Sequence, residues 1–132
     1  MKKLLSILCI AVIAFTASSC KKETIVAPNN NQTILVNLRS QDWVTTDNGK
    51  NYTQIIDVPE LDSYLTDHAG VLVYLTINDG VYEQVPEVYQ GVSYSYTYSQ
   101  GTVVLYAQSY DGAQTTPVPP NAIAKIVLVD SN

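Results

Sequence analysis

Two acidic groups carry the side chains best suited to acid–base work. Asp57, Glu60, Asp62 and Asp67 lie close together, and Glu83 and Glu87 form a second pair. Glycoside hydrolysis uses two such carboxyls on either side of a cleft, one as acid and one as base or nucleophile. Acids beside turns and helix starts more often cap backbone N–H groups or face solvent, so the reading assigns no catalytic residue. His68 is the one histidine. It has no partner at HExxH spacing, and the chain lacks a GxSxG elbow, a GxGxxG loop and a GxxxxGK[ST] loop. "TTDNGKN" sets oxygen ligands beside a glycine but lacks the spaced acids and closing Glu of a calcium loop. A hairpin turn at Asn48-Gly49 accounts for it. No metal and no cofactor is expected, and the chain reads as non-enzymatic.

The binding candidates are aromatic. In "VSYSYTYSQ" Tyr94, Tyr96 and Tyr98 alternate with Ser93, Ser95, Thr97 and Ser99. The only Phe and the only Met lie within the first fifteen residues, so the rest of the chain has ten Tyr and Trp43 as its large aromatic side chains. A core at normal density needs bulk, and Tyr supplies it with its hydroxyl at the core edge. The favoured expectation is that the tyrosines line one inner wall while the Ser/Thr side faces water. The alternative is an exposed platform of Tyr94, Tyr96 and Tyr98 on which sugar rings stack, to which Trp43, Tyr52, Tyr106 and Tyr110 could add.

The elements that must hold these residues read as strands. Turn signals recur at "DNGKN", "NDG", Gly91, Gly101, "YDG" and "PVPPN". Between them lie "TILVNL", "YTQIIDV", "VLVYLTI", "VYEQV", "VSYSYTYS", "TVVLYAQSY" and "AIAKIVLV", rich in β-branched and aromatic residues. The expectation is an all-β antiparallel sandwich of about seven short strands over residues 32–132. "PELDSYLTDHAG" differs. Leu61, Tyr64, Leu65 and His68 make a helical stripe, with Asp57 or Pro59 to start it and Gly70 to end it. A short helix or 3₁₀ segment is expected there, covering one open end of the sandwich.

Location is written at the start. Lys2 and Lys3 precede an apolar run from Leu4 to Phe15. That run is too short to span a bilayer, which takes about 20 residues, and it reads as a signal peptide over residues 1–19. "ASSC" ends it and resembles the lipobox of bacterial lipoproteins, with Ala17 where leucine is commonest. The resemblance implies cleavage before Cys20, a diacylglycerol on its thiol, and attachment to a membrane. Cys9 would leave with the signal. Residues 20–31 then read as a polar tether. The chain carries 7 basic and 12 acidic side chains, and losing Lys2 and Lys3 makes it more acidic still. That balance lacks the basic footprint of a nucleic-acid binder.

The folded part resembles a group of small Bacteroidota lipoproteins of unassigned activity. The resemblance rests on Trp43, on "PELDSYLTDHAG", on "GVLVYLTI", on "YEQVP" and on "KIVLV". It implies an outer-membrane, lipid-anchored β-sandwich on the periplasmic face or the cell surface. Its partner would be a surface glycan or a protein, and no catalytic residue is carried over.

Overall fold

The computed structural model describes residues 30–78 and 80–131. The signal peptide, Cys20 and most of the tether lie outside the described residues. The chain forms β1 (Gln32–Leu38), a 3₁₀ turn (Ser40–Asp42), β2 (Val44–Thr45), β3 (Asn51–Asp57), α1 (Ser63–His68) and β4 (Ala69–Asn78). β5 (Val81–Val85), β6 (Glu87–Tyr89), β7 (Val92–Ser99), β8 (Thr102–Ser109) and β9 (Ala122–Asp130) follow.

The strands build two antiparallel sheets, one ordered β1-β9-β4-β5 and the other β2-β3-β8-β7-β6. This is the expected sandwich. All seven strands expected from the sequence are present, and β2 and β6 are additional.

Tight turns join neighbours where glycine allows positive φ. Gln90 (φ 49°) and Gly91 (φ 79°) connect β6 to β7 between the paired Tyr89 and Val92. Two residues with φ > 0 give the twist that a two-residue hairpin needs. The β2–β3 loop is longer than a bare Asn-Gly turn. Asp47 Oδ1 accepts from Thr45 Oγ1 at 3.0 Å, Lys50 N at 3.1 Å and Asn51 N at 2.9 Å. The backbone hydrogen bond from Asn51, more than the others, holds the Asp47 carboxyl below the usual range. The loop is thus tied by its own aspartate.

Period-2 alternation directs one side of the longer strands inward. Val71, Val73 and Leu75 of β4 and Ala124, Ile126 and Leu128 of β9 face Val103, Leu105 and Ala107 of β8, and all are buried. Trp43 and Tyr94 are the large aromatic side chains buried among them. Aliphatic residues therefore supply most of the core volume that tyrosine was expected to fill.

The segment before β4 corrects the expected helix limits. Asp62, not Asp57 or Pro59, caps α1, its carboxylate accepting from Leu65 N at 2.8 Å. Residues 58–61 are held instead by a turn, Leu61 N to Val58 O at 2.9 Å, and by Gly101, whose N–H donates to Leu61 O at 2.7 Å. Gly70 does not end the helix. α1 stops at Ala69, whose N–H reaches Leu65 O, and the chain runs straight into β4. Leu61 and Leu65 are buried, while Tyr64 and His68 face outward and stack on each other with ring centroids 4.5 Å apart.

Candidate functional site

The tyrosine row is graded along β7. Tyr94, Tyr96 and Tyr98 pair with Ala107, Leu105 and Val103 of β8, whose side chains all point inward. Tyr94 is 3 % exposed, Tyr96 is half-buried against the core, and Tyr98 is 41 % exposed. The gradient follows the cover. β6 lies alongside β7 only from Val92 to Tyr94, so the far half of β7 runs beyond its neighbour.

Tyr96 has a specific role at the transition. Its hydroxyl donates to the carbonyl of Val71 at 2.5 Å, across to the other sheet. Val71 lies in β4 past the last residue paired with β5, so the phenol satisfies a backbone acceptor where that sheet has lost a strand. Trp43 and Tyr94, buried in the core, offer no ring face to a sugar. Of the seven residues named for stacking, Tyr98 and Tyr110 are exposed, at 41 % and 70 %.

The acids separate into two kinds. Asp57, Glu60, Asp62 and Asp67 are all exposed, and Asp62 is occupied as the helix cap. His68 is exposed, with Nδ1 2.9 Å from the Tyr64 carbonyl. Among the described residues no three His, Cys, Asp or Glu side chains gather as metal ligands.

Glu83 and Glu87 do converge. Pro86 carries the chain from β5 in one sheet to β6 in the other within one residue. Glu83 pairs with Leu75, and Glu87 pairs with Tyr94, both buried inward residues. Both carboxyls therefore point into the seam between the sheets, within hydrogen-bonding reach of each other. Glu83 Oε2 and Glu87 Oε1 are shut off from solvent and meet no donor.

Burial first, then the charge of Glu83 and the bond to it, raise the Glu87 carboxyl above its ordinary value. Burial first, then Glu87 and Tyr89, push the neighbouring Tyr94 phenol up to about 12. The Tyr94 ring also lines a cavity of about 210 Å³ with Ile77, Tyr89, Val92 and the prolines of residues 117–120.

This pair gives a pH prediction with a definite sign. Between the ordinary glutamate value and the raised one, the folded chain holds a proton that the unfolded chain has released. Stability therefore falls as pH rises through that window, and the loss persists above it. Glu87→Gln should raise the urea midpoint at neutral pH and leave it nearly unchanged below about pH 4, where both states are protonated. Urea melts of parent and variant across pH check this. Equal gains at both ends would show that the effect is not the carboxyl's proton.

The outward face of the β1-β9-β4-β5 sheet is the second concentration of binding groups. Leu35, Leu72, Ile123, Val127 and Val129 project from it, partly or largely exposed. Lys125 Nζ lies 4.5 Å from the ring centre of Tyr74 and 4.3 Å from that of Tyr82, within cation–π range. The other sheet presents Thr53, Ser93, Ser95 and Thr97 outward, interleaved with Val44, Ile55, Val88, Val104 and Tyr106. Sequence reasoning did not single out the apolar face. Its signal was the near-unbroken apolar run "AIAKIVLV", which marks a strand apolar on both sides. No family model, no curated protein and no solved structure matches this chain.

Proposed function

We propose that this chain is an envelope lipoprotein, anchored to the outer membrane through lipid on Cys20, whose sandwich acts as a non-catalytic interaction module. The anchor rests on the order Lys2-Lys3, apolar run, "ASSC". The observation that carries the interaction reading is the apolar outer face of Leu35, Leu72, Ile123, Val127 and Val129. Contiguous exposed apolar surface marks a contact site on soluble domains.

The anchor predicts that Cys20→Ser moves the protein wholly from the membrane to the soluble fraction and abolishes lipid labelling. Unchanged membrane association in that variant would sink it. The interaction face predicts adducts from a photo-crosslinking residue at Val127 in intact cells and none from one at Ser95 on the opposite sheet. Absence of adducts from Val127 would remove the reading.

A glycan reading keeps one supporting observation. Tyr74 and Tyr82 flank Lys125 on this same face, giving aromatic surface beside a cation. Binding on a glycan array that Tyr82→Ala abolishes would favour it over a protein contact.

A further inference from the structure

Among the described residues, four strands form the outer edges of the two sheets: β1 and β5, β2 and β6. An open edge is a template for another strand, and proteins blunt it with shortness, proline, bulges or inward-pointing charge. β2 is two residues long. β6 is three residues long, follows Pro86 and turns Glu87 inward. β5 shifts register against β4 near its start and turns Glu83 inward. The acid pair in the seam thus doubles as edge protection.

β1 has none of these devices. "QTILVNL" contains no charge and no proline. Its register with β9 is unbroken from Gln32↔Leu128 to Leu38↔Ala122. Leu35 at its middle is 61 % exposed.

We propose that β1 pairs antiparallel with β1 of a second copy of this chain, about a two-fold axis at Leu35, so that the two sheets become one. The occupant follows from the residues that the axis brings together. Ile34 meets Val36 on the core side, Thr33 meets Asn37 on the outer side, and Leu35 meets its own counterpart. β-branched, polar and leucine side chains each find a like partner, the pairing that stabilises antiparallel neighbours. β1 carries no charge, so two copies of a net acidic chain meet there without like charges opposed on the pairing strands. Pairing also carries the outward face across the seam, since Leu35 of β1 belongs to both. This inference rests on the interaction reading and names its partner.

Gln54 to Asp57 of β3 runs beyond β2 but ends in the charged Asp57, and Ala69 to Leu72 of β4 runs beyond β5 but has its Val71 carbonyl taken by Tyr96. Ser95 to Ser99 of β7 runs beyond β6 and is also uncharged. Its outward side chains are Ser95, Thr97 and Ser99, and Tyr96 is committed to Val71. Pairing there removes little apolar surface from water, the main source of association energy. A single strand pair is a small interface, so the contact is weak in dilute solution. Confinement of both copies to one membrane raises their effective concentration.

The test is crosslinking of the full chain in intact cells with a short bis-maleimide. Leu35→Cys should give a crosslinked species of twice the chain's mass, several-fold more than Thr97→Cys or the parent, whose Cys20 thiol carries the lipid. Hydrogen exchange on the purified protein should show protection of alternate β1 amides that rises with concentration. Leu35→Lys, which sets two like charges on the axis, should abolish that protection without shifting the melting temperature. Dimer from Thr97→Cys alone would place self-pairing on β7 and overturn the proposal. Crosslinks from Leu35→Cys only to other proteins would overturn it while sparing the interaction reading. Absence of any crosslink at 35, with adducts still formed from Val127, would do the same.

Discussion

Tyr94→Ala is expected to leave the domain close to unfolded, while Tyr98→Ala leaves it nearly as stable as the parent. Tyr94 is enclosed beneath β6, and truncating a buried aromatic typically costs about 3–5 kcal/mol. Net stabilities are about 5–15 kcal/mol, so this one change removes a large share. Tyr98 stands beyond the cover of β6 and is 41 % exposed. Its removal should cost about 1 kcal/mol or less. Tyr96 falls between them. Tyr96→Phe isolates the hydrogen bond to Val71 and should cost about 0.5–1.5 kcal/mol. Urea denaturation of the variants orders them. A series in which all three alanines cost the same would mean that the row is uniformly covered. A binding loss without a stability loss at Tyr94 would favour an aromatic platform.

The alternation in "VSYSYTYSQ" names the inward face but not how far the cover extends. Period 2 is a local property, whereas cover depends on where β6 ends and what the other sheet places opposite. For the same reason β2 and β6 were not legible. Strands of two and three residues have no periodicity of their own and exist only through pairing with β3 and β7. The longer strands were legible because each is rich in β-branched or aromatic residues, and several are bounded by a glycine turn at Gly80, Gly91 or Gly101.

Glu83 and Glu87 show the limit most clearly. Four residues along one continuous strand would separate their Cα atoms by about 13 Å at strand rise. The switch of sheets at Pro86 folds that distance away, and nothing in "VYEQVPEVY" by itself states that the chain changes sheet there. The other acidic group, Asp57 to Asp67, is dispersed over the end of β3, a turn and a short helix in solvent. The apolar outer face was written in β9 as a run broken only by Lys125. A core requirement explains half of those residues, and the other half become conspicuous only once β9 is seen to have an uncovered side.

The closing of the sandwich end rests on Leu61 more than on the helix that follows it, and Leu61→Ala should show this. Leu61 is 0 % exposed and sits in a turn whose backbone is bonded to both Val58 and Gly101. The fixed backbone leaves little room for collapse around a truncated side chain, and Leu→Ala in such sites costs about 2–5 kcal/mol. The helical stripe groups Leu61 with Tyr64, Leu65 and His68, but the helix begins only at Ser63. Tyr64 and His68 project outward, so Tyr64→Ala should cost about 0.5 kcal/mol. Asp62→Ala removes the cap on Leu65 N and should cost about 1 kcal/mol. The order Leu61, Asp62, Tyr64 in thermal and urea melts is the expected result. If Leu61→Ala proves as mild as Tyr64→Ala, the turn is not what seals this end. The burial of Leu65 against β4 and β9 would then have to carry the closure alone.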